Sequence, residues 1–252
     1  MKQFEAKICG RDGWKWFCGS GWLLAGLLSF WAAPRIYHHL IVLLPYAQRE
    51  NWNQMLLDKK RELSSRWQDR RPLIVFAGDS EIESGDWYDL FAGACAVRNC
   101  GLSGAKIADV TELVSAIGDS HPKMVVLMCG VNDFLHHENS DACLRDYVAL
   151  LAAVRSHLQP ESILVLSVMP VRESTVDHAA HQFNAGIAQF NLNLSSACRQ
   201  HQVDFLDVKS AVTDANGGLA SELTIDGLHL NHDGYRRLAA VIAPHLTPPA
   251  AP

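Results

Sequence analysis

Ser80 follows Gly78 and Asp79, where an apolar run (PLIVFA, 72–77) gives way to a polar stretch. A serine hydroxyl is a weak nucleophile and needs a base to take its proton. His229 can be that base. Asp226, three residues earlier, can reach the other ring nitrogen and hold the imidazole in one tautomer. The order Ser, Asp, His, with the last two so close, needs one rigid loop rather than two. Attack on an acyl carbonyl also creates an oxyanion, which needs donors. Three are suitably placed: the amide of Ser80 at a helix start, the amide of Gly101 with no side chain in the way, and the side-chain NH2 of Asn132. Gly-Asp-Ser alone is a common turn tripeptide. Gly130-Val131-Asn132-Asp133 alone is an ordinary turn, and Asp226 to His229 alone suits a helix cap. Their joint occurrence in this order points to acyl chemistry on a serine.

The elements that must position these residues alternate. Apolar runs at 72–77, 95–99, 123–129, 162–169 and 203–208 read as strands. Helical stretches are expected at 80–92, 104–118, 140–158, 178–201 and 233–246. Apolar strands alternating with helices predict a parallel sheet covered on both faces, with its site at the strands' C-terminal ends. The loops after the first, second and third strands carry Gly78-Asp79-Ser80, Asn99 to Gly104 and Gly130 to Asp133. The Asp226–His229 block follows the fifth strand.

These blocks, GDS at 78–80, NCGLSG at 99–104, GVND at 130–133 and DGLH at 226–229, resemble the SGNH (GDSL-type) hydrolase superfamily. The name-giving residues fall on Ser80, Gly101, Asn132 and His229. The run from Ile74 to Asp133 and the ending DGLHLNHDGY look most like the platelet-activating-factor acetylhydrolase β/γ and lysophospholipase-L1-like branch. The resemblance covers about 72–246. It implies a flavodoxin-like three-layer α/β/α sandwich with a five-stranded parallel sheet of order 2-1-3-4-5. It also implies hydrolysis of an ester through an acyl-enzyme, with no metal or other cofactor. Ser80, Asp226 and His229 would be the triad, and Ser80, Gly101 and Asn132 the oxyanion hole. Short acyl groups, acetyl above all, are expected on this likeness. One departure is Glu81-Ile82-Glu83 after the serine, where relatives often have a pair such as Ile-Thr. These acids suit a helix's first turn and are read as solvated.

The chain has 252 residues, 48% hydrophobic and 19% charged, enough apolar content for a buried core. Its net charge of −5 hides a division: residues 1–71 carry 12 Lys/Arg against 6 Asp/Glu, and 72–252 carry 10 against 21. So acidic a domain repels phosphates, and no nucleic-acid partner is expected. Residues 16–33 are uncharged and flanked by tryptophans; as a helix they would reach about 27 Å, near the thickness of a bilayer core. They predict a signal anchor, extending at most to residue 44, with no small-x-small cleavage site behind it. Basic residues before the span place residues 1–15 in the cytoplasm and the catalytic part outside, in the periplasm of a Gram-negative cell. The chain thus divides into a tail and anchor (1–45), a charged helical stalk (46–71), a hydrolase domain (72–246) and a Pro/Ala-rich tail (247–252). Trp52, Met55, Leu56, Leu63 and Trp67 form one stripe of the stalk helix.

The seven cysteines contain no CxxC pair, so they predict no metal site. His136-His137-Glu138 reads as a solvated loop, His178 and His181 as helix surface, and His232 as a cap or surface residue. Asp79 and Asp133 are expected to orient their loops through backbone hydrogen bonds. The expected function is a membrane-anchored serine esterase acting on a small-molecule, glycan or lipid ester. The alternatives are an envelope O-acyltransferase that passes the same acyl group to a sugar, and a silent envelope scaffold.

Overall fold

The computed structural model describes residues 49–64, 73–91, 96–117, 121–136, 138–172 and 180–246. The chain divides into Met1–Met55 and Leu56–Pro252, and every candidate site residue lies in the second unit. The anchor read at 16–33, the rest of 1–45 and the tail 247–252 lie outside the described residues. Among the described residues, no helix is long and apolar enough to cross a membrane.

Five strands form one parallel sheet in the order β2-β1-β3-β4-β5: β1 Leu73–Gly78, β2 Ala96–Gly101, β3 Met124–Met128, β4 Ser162–Leu166 and β5 Asp204–Leu206. From β1 the chain winds to β2 on one side, then returns past β1 to β3 on the other. Such a reversal opens a crevice at the carboxyl ends of the strands. The register levels those ends, since Gly78 pairs with both Gly101 and Met128. The three loops that follow therefore start at one height.

Successive strand residues face opposite sides. Ile74, Phe76, Val126, Met128, Leu164 and Leu166 fill one core with Trp87, Leu238 and Ile242. Phe76 stacks on Trp87 with ring centroids 4.6 Å apart. Val75, Ala77, Val125, Leu127 and Val165, all fully buried, point to the other face. Both faces are dry, which explains why these runs are continuously apolar rather than alternating.

The helices are α1 Arg49–Leu63, α2 Ser80–Glu83, α3 Trp87–Leu90, α4 Ile107–Ala116, α5 Val131–Leu135, α6 Ser140–His157, α7 Ala180–Gln200, α8 Lys209–Val212 and α9 His232–Leu246. One helix was expected over 80–92, and the structure has two short ones. Gly85 lies between them, packed so closely on the Trp87 indole that a Cβ there would lie 2.3 Å from it. Asp86 then caps α3, accepting from the Asp89 amide. The fourth strand ends at Leu166 rather than at 169. Beyond it, the Asn191 side chain takes both backbone groups of Val168 at 2.9 Å, and Asn184 takes those of Val171 at 2.9 and 2.8 Å. Side chains of α7 thus replace a strand partner. Of the stripe read on the stalk, Leu56 and Leu63 are buried within the second unit, and Met55 is exposed. Arg98 of β2, itself buried, donates to the Leu63 carbonyl at the end of α1. Trp67 lies outside the described residues.

Candidate active site

Ser80 opens α2 directly after β1 and is 6% exposed. The Asp79 side chain caps this turn by accepting from the Glu81 amide at 3.1 Å. Gly78 allows β1 to run close to β3, since a Cβ there would lie 1.9 Å from the Met128 carbonyl oxygen. The turn is held from β2 as well. Asn99 Nδ2 donates to the carbonyls of Ile82, Glu83 and Gly85 at 2.8, 3.1 and 3.1 Å. The Ile82 carbonyl also accepts from Trp87 Nε1 at 2.7 Å, so Asn99 and Trp87 share the end of α2. Glu83 is exposed and accepts from the Ser103 amide and hydroxyl.

The structure brings Ser80, His229 and Asp226 together. His229 Nε2 lies 3.0 Å from Ser80 Oγ, and His229 Nδ1 lies 2.6 Å from Asp226 Oδ2. Asp226 Oδ1 accepts from the amides of Leu228 and His229 at 2.9 and 2.8 Å, so the carboxylate cannot swing. Burial raises its pKa, but the bonds from His229 and Leu228 outweigh that and hold it below the usual carboxylate value. The loop is closed by Thr224, whose hydroxyl donates to the His229 carbonyl at 2.7 Å and accepts from the Gly227 amide at 2.8 Å. Gly227 has φ +89°, a left-handed turn that favours glycine. With Nδ1–H given to Asp226, the free Nε2 lone pair faces the serine hydroxyl. This arrangement can remove the serine proton as Oγ attacks an acyl carbon.

The oxyanion candidates sit at the same end of the sheet. The Ser80 amide begins α2, a single turn, so it carries the field of a few aligned amides rather than of a long helix. Asn132, in α5, gives one side-chain N–H to the Ala105 carbonyl at 3.0 Å; a primary amide has a second. The Gly101 amide donates to Asn99 Oδ1 at 3.0 Å, so it meets a substrate oxygen only by leaving that partner. Gly101 has a second reason to be glycine. A Cβ there would lie 2.2 Å from the Glu83 amide nitrogen, and backbone cannot yield as a side chain can.

Three acids behind the site are buried. Burial pushes Asp79 up to about 7, opposed by its bond from the Glu81 amide and assisted by Asp133. Burial likewise raises Asp133 to about 6 against its bond from the Ile107 amide, 3.2 Å long. Glu81 was read as solvated and is not: it is 4% exposed, and burial raises its pKa well above the usual value. Tyr235 of α9 reaches this side chain, with Oη 3.4 Å from Glu81 Oε2; the helical turn alone could not reveal that.

Among the described residues, no cluster of His, Cys, Asp and Glu could hold a metal ion. Glu138 is exposed and paired with Lys106 at 2.9 Å, while His137 and the side chains of His178 and His181 lie outside the described residues. His232 is exposed at the start of α9. Cys100, Cys129, Cys143 and Cys198 are free and buried. Asn99, Thr224 and Tyr235 are the site's supports that sequence reasoning missed, because each acts on a partner chosen by the fold.

A family model of GDSL-like lipases and acylhydrolases matches residues 75–237, well over half the chain. The chain belongs to the GDSL-like lipase/acylhydrolase family. It is an ester hydrolase by that membership, and its solved neighbours are of the same kind. A Streptococcus pneumonia protein, provisionally described as a platelet activating factor, is 25% identical, with a TM-score of 0.71 over 81% of this chain and 99% of its own. A GDSL-like lipase from Bacteroides thetaiotaomicron is 21% identical, with a TM-score of 0.62 over 75% and 97%. A carbohydrate acetylesterase family member from Sinorhizobium meliloti is 19% identical, with a TM-score of 0.54 over 69% and 96%. No curated protein matches the chain.

Proposed function

We propose that this GDSL-like hydrolase is a serine esterase whose triad is Ser80, His229 and Asp226. The observation that carries the reading is the continuous contact from Asp226 Oδ2 through His229 to Ser80 Oγ, at 2.6 and 3.0 Å. Ser80 Oγ attacks the ester carbonyl carbon while His229 Nε2 takes its proton. Asp226 stabilises the imidazolium that forms. The Ser80 amide, the Gly101 amide once released from Asn99, and the Asn132 side chain receive the carbonyl oxygen as it becomes anionic. His229 returns the proton to the leaving alkoxide, and an acyl-serine remains. It then deprotonates water, which attacks the acyl carbon and restores Ser80.

The acyl group we propose is short, with acetyl first. Support comes from the likeness of the GDS, GVND and DGLH blocks to the platelet-activating-factor acetylhydrolase branch. The fold shared with an acetylesterase family member adds to it. The test is p-nitrophenyl acetate hydrolysis together with labelling by a serine-directed fluorophosphonate. Ser80→Ala should abolish both signals, and a variant that kept them would remove Ser80 as nucleophile. A panel of acyl lengths and acetylated sugars, with product analysis, then separates water from a sugar hydroxyl as acceptor.

We also propose that residues 16–33 anchor the enzyme and place residues 72–246 outside the cytoplasm. The uncharged run with its tryptophan flanks supports this. Protease added to intact cells should digest the catalytic part; full protection inside the cytoplasm would refute it.

A further inference from the structure

The residue beside the nucleophile ties together two elements that must keep a fixed distance. Glu81 and Tyr235 are both buried, the first in the turn bearing Ser80, the second in α9 just beyond the His229 loop. Tyr235 Oη lies 2.9 Å from the Glu81 backbone oxygen and 3.4 Å from Glu81 Oε2. A phenol has one proton. The shorter contact, to a carbonyl that can only accept, takes that proton. The second contact is then attractive when Oε2 carries a proton and donates it to Tyr235 Oη.

We propose that Glu81 is a positioning residue for the ester hydrolysis assigned above, latching the Ser80 turn to the start of α9 and so holding Ser80 Oγ against His229 Nε2. The latch works as a neutral acid. The charged groups facing it are Asp79 from its own turn and Asp226 from the His229 loop, both of which oppose ionisation, as does burial. The Leu230 backbone and Tyr235 favour the charged form less strongly. Glu81 Oε1 is buried with no hydrogen-bond partner, a position far costlier for a carboxylate than for an acid. Ionisation at high pH draws the phenol proton from the Glu81 backbone oxygen to Oε2 and leaves a buried charge with Oε1 unpartnered, which loosens the hold of the turn on α9.

Both this inference and the esterase reading are tested on the full chain, with p-nitrophenyl acetate kinetics from pH 6 to 9 and fluorophosphonate labelling rates. Glu81→Ala should lower kcat about tenfold or more with KM nearly unchanged, the size expected when reacting groups lose alignment. Glu81→Gln, whose NH2 can donate to Tyr235 permanently, should recover kcat to within about threefold and remove the fall at high pH that the parent shows. Should Glu81→Ala fail to fold, Tyr235→Phe decides. It keeps the ring against Trp87, with centroids 5.7 Å apart, and removes the contacts of Oη with the Glu81 backbone oxygen, with Oε2 and with the Ser84 side chain. A parent-like kcat in Glu81→Ala, or in Tyr235→Phe if Ala does not fold, overturns the proposal. So does a Gln variant as impaired as the Ala variant. A parent that neither hydrolyses ester nor labels would overturn the esterase reading itself, and the latch with it. A parent that does both, beside unaffected variants, removes the latch alone.

Discussion

Replacing Asp79 by Asn should remove much of the fall of stability with rising pH. The group is buried behind the site, and its pKa rises from 3.8 in the unfolded chain to about 7 in the fold. Between those values the folded protein keeps a proton that the unfolded chain has released. Stability therefore falls with rising pH: it is full below about 3.8 and lost by the time pH has passed about 7. At about 1.4 kcal/mol per pH unit, the Asp79 contribution is an upper bound of about 4 kcal/mol across that window. Asn cannot ionise and keeps an oxygen for the Glu81 amide. It does present an NH2 where the acid's second oxygen meets the Gly130 amide, and losing that bond costs about 1 kcal/mol. Asp79→Asn should thus be about 0.5 kcal/mol less stable than the parent at pH 4, equal at about pH 4.5, and about 3 kcal/mol more stable at pH 8. Asp133 and Glu81 keep slopes of the same sign in both proteins, although Glu81, raised in part by Asp79, is shifted less in the variant, and Asp226, lowered by its bonds, matters only at the acid end. Urea unfolding of both purified proteins at five pH values reads the difference directly. Parallel curves would refute the claim that Asp79 is held neutral by burial.

Gly101→Ala should lower stability by about 1–3 kcal/mol and lower kcat, because its Cβ would strike the Glu83 backbone at 2.2 Å and push β2 away from α2. Unchanged unfolding and kinetics would refute that packing. Asn99→Ala should take the Asn99 donor from the Glu83 and Gly85 carbonyls, while Ile82 keeps Trp87 Nε1, and cost about 1–3 kcal/mol; calorimetry reads the loss, and an unshifted Tm would show that the clamp is redundant. Asp226→Asn should cut kcat by about three to four orders of magnitude with little change in Tm, since the amide can hold the wrong imidazole tautomer. A loss below tenfold in ester hydrolysis would show that Asp226 does not orient His229.

The parallel sheet was legible because its strands are buried on both faces and so read as unbroken apolar runs. The candidate site was legible where residue type and chain neighbourhood are enough: Ser80 behind a strand, and Asp226 three residues before His229. Other features were not. One helix was read over 80–92, yet two short ones form with Gly85 between them against the Trp87 ring, and that contact is set by core packing. Gly101 was read as an oxyanion-hole amide with no side chain in the way, and the sequence did not reveal that Asn99 Oδ1 accepts from that amide, because the Asn side chain curls back to the end of β2. Glu81 was read as solvated, yet it is buried under Tyr235, 154 residues away in sequence. By itself, then, the sequence determined which residue types stand at the strand ends and in what order, since both follow from local patterns of polarity. The tertiary structure alone decided which of those groups are dry and whose hydrogen bonds are already taken. Burial and partnership depend on segments that meet only when the sheet closes and α9 packs across it.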